Sequence, residues 1–177
     1  MKNKYVFILT ITVICSLLLS LVSEILKDRQ EKNVAIDRKK NILSAVGIDI
    51  SKFSIIDIDQ FFINNIDTLI ITPEGSIVSN LSIESLTEQE NSQTGEIKYF
   101  DQKEDEFLPI YTEKVSKSII IPISGKGLWG SLYGYFALNA DNYSTVKGIT
   151  FYKHKETPGL GAEISKKWFQ NNFIDKE

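Results

Sequence analysis

The pattern of apolar and polar positions divides the chain into an uninterrupted apolar run and a longer mixed body. Residues 5–23 contain no charged side chain, and as a helix they would be about 28 Å long, enough to cross a bilayer. Lys2 and Lys4 precede this run, so a cleavable signal peptide is the alternative, but no Ala-x-Ala site follows. The pattern predicts a transmembrane anchor over residues 1–26 and a charged juxtamembrane helix over residues 27–47.

The body, residues 48–177, alternates short apolar runs with turn residues. Residues 57–64 are predicted to form a short helix with Phe61 and Phe62 facing inward. The segment 81–95 is polar and has no sustained period, so we interpret it as a loop or a frayed helix. Consecutive hairpins predict an antiparallel sheet with flanking helices, which is an α+β domain. The predicted strands are 68–72, 76–79, 98–100, 107–114, 117–123, 128–139 and 145–153.

The most unusual stretch of the chain runs from His154 to Ile164. Thr157 followed by Pro158 is typical of a helix start, because a hydroxyl can cap the first turn and proline loses nothing by lacking a donor there. We therefore expect a helix from residue 162 to about residue 173. Gly159 and Gly161 would let a ligand approach the free amides of this turn. The spacing equally fits an ordinary strand-to-helix turn, and both interpretations stay open.

Composition and charge argue against several classes of function. Twenty Lys and Arg residues against 23 Asp and Glu residues give a net charge of -3, and the basic residues are scattered, which argues against a nucleic-acid partner. Cys15 is the only cysteine and His154 the only histidine, so we predict no catalytic residues and no metal ligands. The acidic segment 101–106 is interpreted as a solvated hairpin tip, with a cation site as the alternative.

Three segments of the second half carry a resemblance to a known family. They read Ile-Pro-Ile-Ser-Gly-Lys-Gly-Leu-Trp-Gly at 121–130, Val-Lys-Gly-Ile at 146–149 and Glu-Thr-Pro-Gly-Leu-Gly-Ala-Glu-Ile at 156–164. Together with the N-terminal span and the segments that follow it, they resemble the C subunit of the sodium-translocating NADH:quinone reductase over nearly the whole chain. The G subunit of the Rnf complex is similar in the flavin-domain portion, less closely.

The resemblance implies a membrane-anchored domain that carries FMN and passes electrons beside other membrane subunits of a respiratory complex. It implies no independent catalytic activity for this chain. It also implies a single-pass protein of the inner membrane whose domain faces the extracytoplasmic (periplasmic) side. The excess of Lys and Arg after the span, taken alone, would favour the opposite orientation, but long domains translocate largely regardless of charge.

By the same resemblance, the cofactor-binding residues are Glu156, Thr157, Leu160 and Gly161, with Trp129 packed nearby. Leu160 and Trp129 would supply apolar walls, and amides at a helix start would stabilise charge on a reduced flavin. Glu156 has an alternative role, because its carboxylate can instead bind local backbone amides.

In the family, FMN is joined through its phosphate to a threonine in a Ser-Gly-Ala-Thr-x-Thr-like motif downstream of the stretch 156–161. This chain contains no such motif, so we expect it to be C-terminally truncated and to lack covalent flavin. Three alternatives remain beside the electron-transfer subunit: a flavin-free structural or assembly subunit of the same complex, a Rnf-type electron-transport subunit, and a free-standing extracytoplasmic ligand-binding module.

Overall fold

The computed structural model describes residues 2–177 and divides into two compact units, Met1–Ile36 and Asp37–Glu177. Helix α1 spans Lys2–Ala45, so the helices predicted before and after residue 26 form one element. By length and composition it can cross a membrane, and none of its apolar window is buried. The hydroxyls of Thr10 and Thr12 donate to the carbonyls of Val6 and Ile8 at 2.9 Å, so these polar groups are satisfied within the helix.

The second unit is built around an antiparallel sheet, which confirms the α+β prediction. The strands are β1 (Ile66–Ile71), β2 (Ile77–Val78), β3 (Thr87–Glu90), β4 (Ile97–Phe100), β5 (Glu106–Glu113), β6 (Ile119–Lys126), β7 (Ser131–Leu138) and β8 (Val146–Lys153). Six of them follow the order β2-β1-β5-β6-β7-β8; β4 also pairs with β5, and β3 pairs with β4.

The start of helix α2, Ile55–Asn65, is fixed by a capping box. Ser54 accepts the amide of Asp57 at 3.2 Å, and the Asp57 carboxylate accepts the amide of Ser54 at 2.9 Å, which is a complete capping box. Ile58 is buried, and Phe61 and Phe62 are half-buried. The inward-facing aromatic pair is therefore where the sequence pattern predicted it.

The segment 81–95 was predicted as a loop or frayed helix, and that prediction is wrong for β3. Strand β3 pairs with β4 from Thr87 opposite Phe100 to Glu90 opposite Ile97. All four of its residues are exposed, so no apolar alternation marks the strand. The turn that brings β3 to β4 depends on Gly95, whose φ of 71° is one that glycine tolerates and other residues rarely adopt.

The end of α1 packs directly on β8. Ile42, Leu43 and Ala45 are buried, and a Cβ at Gly148 would meet the carbonyl oxygen of Ala45, so only glycine allows the helix to approach this strand. The Thr150 hydroxyl donates to the carbonyl of Asn41 at 3.2 Å. Helix and strand are thus joined by both apolar and polar contacts.

Four tyrosines of the sheet, Tyr99, Tyr111, Tyr135 and Tyr152, lie near one another, and we call them the tyrosine cluster. The Tyr111 and Tyr135 rings meet edge to face with centroids 6.0 Å apart, and Tyr135 stacks on Tyr152 at 5.4 Å. Burial raises the pKa of all four phenols. Arg38 reaches the cluster and pairs with Glu88 at 2.7 Å; burial acts to lower its pKa, but Glu88 and the tyrosines together raise it.

The predicted helix over residues 162–173 does not form as one element. The segment contains a 3-10 turn at Gly161–Ser165, the short helix α3 at Lys167–Gln170 and a second 3-10 turn at Asn171–Phe173. Trp168 is exposed, with its indole N–H donating to Glu163 at 3.1 Å, whereas Ile164 and Phe169 are half-buried, so these residues do not share the one buried face assumed for a long helix.

Candidate functional site

The first part of the candidate site is the turn between β6 and β7, residues 127–130. Its ends are closed by the Gly127 N–H, which donates to the Gly130 carbonyl at 2.7 Å. Leu128 and Trp129 form the tip, and their side chains are 81% and 67% exposed. Strand β6 extends through Lys126, beyond the predicted strand end at residue 123, so the turn begins at Gly127. Two large apolar side chains are therefore displayed at the end of a hairpin.

The second part is the turn formed by residues 157–160. The amides of Leu160 and Ala162 both donate to the Thr157 carbonyl at 3.1 Å. Pro158 takes the second position and Gly159, with φ of 76°, the third, which is the pattern of a type II turn. Leu160 is 74% exposed.

The predicted helix start at Thr157 is therefore wrong. The Thr157 carbonyl accepts the hydrogen bonds of a turn, and the 3-10 segment that follows has no side-chain cap. The reason is that Pro-Gly at the centre of a four-residue turn satisfies the same local preferences as a capped helix start, and Gly159 resolves the choice by adopting a positive φ. The site consequently lacks the long-helix dipole that the sequence suggested for stabilising a reduced flavin.

Glu156 joins the two turns. Its Oε1 accepts the backbone N–H of Trp129 at 3.0 Å, and its Oε2 lies against Gly161. Of its two expected roles, the structure shows the one in which the carboxylate binds a backbone amide. The carboxylate is half-buried between the turns rather than projecting from them.

All five predicted site residues lie on these two turns or directly beside them. Trp129, Glu156 and Gly161 are in mutual contact through the Glu156 carboxylate, while Thr157 and Leu160 lie on the outer side of the second turn and are exposed. The structure therefore brings the predicted residues to one place, as an open surface with an aromatic and an aliphatic side chain facing solvent.

Two neighbouring residues were not predicted as part of the site. The Nδ1 of His154 accepts the amide of Glu156 at 3.3 Å, which orients the start of the stretch. The Lys155 side chain packs so closely on Gly130 that a Cβ there would lie 2.9 Å from its Cδ. In the sequence, the glycine at position 130 beside Trp129 is the feature that could have indicated a side chain packed across this turn.

The acidic segment 101–106 is the place where the sequence left a cation site as an alternative. Among residues 2–177 no group of three or more His, Cys, Asp or Glu side chains is placed to hold a metal. In the acidic hairpin tip, the Asp101 carboxylate accepts the amides of Lys103 and Asp105 at 2.8 and 3.0 Å. This aspartate closes its own turn, in agreement with the hairpin interpretation.

Electrostatics near the two turns arise from exposed hydrogen-bonded carboxylates. Lys166 and Trp168 hydrogen-bond to Glu163 and lower the pKa of its carboxyl group. On the neighbouring β3, hydrogen bonds from Ser131 and Tyr133 lower the pKa of Glu90. Hydrogen bonds thus favour the ionised form of both carboxylates.

Comparison with known proteins places these turns in a recognised domain. A model of the FMN-binding domain matches residues 127–177, which include both turns. The chain is 26% identical to the C subunit of the Na(+)-translocating NADH-quinone reductase of Vibrio alginolyticus, covering 99% of this chain and 72% of the relative. It is 51% identical to the corresponding C subunit of Chlamydia trachomatis over 61 residues, 34% of this chain and 19% of the relative.

Solved structures agree with the sequence comparison. The crystal structure of the C subunit of the Na(+)-translocating NADH-quinone reductase from Parabacteroides distasonis superimposes with a TM-score of 0.64 at 25% identity, covering 85% of this chain and 69% of that one. The resemblance inferred from the sequence motifs is confirmed, and the antiparallel α+β domain is the fold of these relatives.

Proposed function

We propose, since the chain is similar to these C subunits along almost its whole length, that it is the membrane-anchored, FMN-carrying electron-transfer subunit of a sodium-pumping NADH:quinone oxidoreductase. The observation that carries the proposal is that the FMN-binding domain match covers residues 127–177, the segment that contains both turns of the site. Similarity over 99% of the chain also includes the apolar helix, which supports a subunit rather than a separate binding module.

The residues present fit a flat, partly apolar cofactor. The exposed Trp129 ring offers a face on which an isoalloxazine can stack, and Leu160 offers an aliphatic wall on the adjoining turn. The aliphatic part of Lys155 packs on Gly130, and its ammonium group would favour an anionic cofactor and its reduced form. FMN, when bound, supplies one-electron transfer. Trp129 and Leu160 would hold the ring and exclude water from its covered face.

The chain would act with other membrane subunits of the same complex. Helix α1 would anchor it by a single span, and the domain would face the extracytoplasmic side of the inner membrane. The Glu156 carboxylate already binds the Trp129 amide, so we do not assign it proton transfer to a substrate. The subunit would therefore tune and position its cofactor rather than catalyse a reaction alone.

Cofactor binding can be tested by titrating the full chain in detergent with FMN and following flavin fluorescence. Leu160→Asp should weaken binding about tenfold or more, because it replaces an apolar wall with a charge. Val115→Asp is the matched control: Val115 is also exposed, but it lies at the other end of β6 from Gly127. Equal affinities of the two variants would contradict the pocket assignment, and a wild-type chain that binds no FMN would favour the structural-subunit alternative.

Orientation can be tested with single cysteines in a Cys15→Ser background. Ser92→Cys, in an exposed turn of the domain, should react with a membrane-impermeant maleimide in cells whose inner membrane is intact. Asn3→Cys, before the apolar run, should react only after permeabilisation. The reverse labelling pattern would show that the domain faces the cytoplasm.

A further inference from the structure

The Glu156 carboxylate occupies a space that two glycines leave open. A Cβ at Gly127 would collide with Glu156 Oε1, and a Cβ at Gly161 would lie 2.7 Å from Oε2. Neither glycine has a positive φ, so neither is required by backbone conformation. Gly159 is the opposite case, because its φ is 76° and nothing lies within 4 Å of the position of a Cβ. At Gly161 the room is used by the Glu156 side chain, and at Gly127 it is shared by the Glu156 carboxylate, the Gly130 carbonyl oxygen and the Leu132 side chain.

This carboxylate spans a long separation in sequence. Its bond to the Trp129 amide joins residues 27 positions apart and connects the hairpin turn to the Thr157–Leu160 turn. A hydrogen bond to an ionised acceptor is roughly twice as strong as a neutral one, so this single bond is a substantial restraint on an exposed turn. The amide that it uses belongs to the residue whose ring forms one wall of the proposed flavin site.

We propose that Glu156 is a positioning residue that locks the two turns together, so that Trp129 and Leu160 are held in place before the cofactor arrives. This inference rests on the proposed function for its role toward FMN. Pre-ordering lowers the entropy lost on binding, because the walls of the site do not have to be immobilised by the ligand. The negative charge of Glu156 is directed into the protein backbone, so it does not face the flavin and oppose its reduction.

The first experiment measures the hydrogen bond between Glu156 and the Trp129 amide in the absence of cofactor. In the FMN-free full chain, hydrogen exchange of the Trp129 amide should be about tenfold faster or more in Glu156→Ala than in wild type, and less affected in Glu156→Gln, which retains an acceptor oxygen. Glu163→Gln is the control, since its carboxylate serves Trp168 and Lys166 instead. Unchanged exchange in Glu156→Ala would overturn the lock.

A double-mutant cycle tests whether the Glu156 side chain fills the space beside Gly161. Gly161→Ala should displace the carboxylate and accelerate Trp129 exchange in wild type, and have a smaller effect when Glu156 is already alanine. Additive effects of the two substitutions would overturn the assignment.

FMN titration of the same variants tests the positioning role. Glu156→Ala should bind FMN about tenfold more weakly, with Glu156→Gln in between. If wild type binds FMN and Glu156→Ala binds it equally well despite faster exchange, the positioning role is wrong. If wild type does not bind FMN, the proposed function fails, and the exchange data still decide whether the lock exists.

Discussion

The tyrosine cluster and the candidate site, which consists of the turns 127–130 and 157–160, place their large side chains in opposite environments. In the cluster, Tyr111 and Tyr135 are 7% and 3% exposed. At the site, Trp129 and Leu160 are 67% and 74% exposed. The cluster is packed by its own side chains, whereas the site presents apolar surface to solvent beside a carboxylate that serves only the backbone.

This difference separates stability from binding. Large side chains that are already buried contribute to folding, and their loss leaves cavities. Large side chains that remain exposed contribute little to folding, and a group of them on ordered turns indicates a surface for a ligand or partner. The buried region should therefore be sensitive to changes in volume and ionisation, and the exposed region to changes in ligand contacts. Four substitutions, described from the largest expected effect to the smallest, test this contrast.

Leu43→Ala should have the largest effect on the free energy of unfolding. Leu43 is fully buried where α1 packs against the sheet, and truncation of such a leucine costs about 2–5 kcal/mol. Ile56→Ala on α2 is the control, because Ile56 is 68% exposed and the substitution leaves no cavity. Thermal unfolding of the full chain in detergent measures both; a Leu43 variant as stable as the Ile56 variant would contradict the packing described.

Gly134→Ala should destabilise the protein by about 1–3 kcal/mol through overpacking. A Cβ at Gly134 would collide with the backbone carbonyl oxygen of Thr150, which cannot move without distorting β8. Gly125→Ala is the matched control on the adjacent strand, where nothing lies within 4 Å of the added atom. The expected melting temperatures differ by several degrees; equal values would show that the two strands can separate locally.

Tyr135→Phe should change the pH dependence of stability more than stability at pH 7, where an effect of about 1 kcal/mol or less is expected. Burial raises the pKa of Tyr135 above its ordinary value of 10.0, so the folded state holds the proton more tightly than the unfolded state. The stability from this protonated group is fully present below about pH 10 and is lost as the pH rises above it.

The phenylalanine variant cannot lose a proton there, so its stability should fall less steeply between pH 9.5 and about 11 in denaturant titrations. Tyr99 and Tyr111 remain, and burial raises their pKa as well, so some alkaline loss should persist. Tyr143→Phe, at a 60% exposed position, is the control. Parallel pH profiles for wild type and Tyr135→Phe would show that ionisation of Tyr135 does not contribute to the loss of stability at high pH.

Trp129→Ala should have the smallest effect on stability, within about 0.5 kcal/mol, because its ring is mostly exposed. The Trp129 backbone amide, and with it the bond to Glu156, is retained in the variant. FMN affinity should nevertheless fall about tenfold if the ring stacks on the flavin. A variant that loses stability but not affinity would reverse the contrast between the two regions.

Much of the fold is predictable because it depends on local patterns. Alternating apolar residues separated by Pro73–Gly75 and by residues 101–106 determine two hairpins, and the charge-free run over residues 5–23 determines the apolar helix. The proposed site residues could be named from the sequence because Glu156–Gly161 and Trp129 lie in contiguous motifs. Strand β3 escaped prediction because its residues are all exposed, and only pairing with β4 makes the segment extended.

The sequence by itself determined the apolar helix and the antiparallel hairpins, and it singled out the segments proposed as the site, because the signals for these lie within a few neighbouring residues. Only the tertiary structure decided that Thr157–Leu160 forms a turn and that Glu156 serves the amide of Trp129. Local preferences at Thr-Pro-Gly fit a turn and a helix start almost equally well, and the meeting of two segments 27 residues apart depends on the register of β7 against β8. The sequence allowed the Glu156 carboxylate to bind either a ligand or a backbone amide, and the strand register brings it to the backbone amide of Trp129.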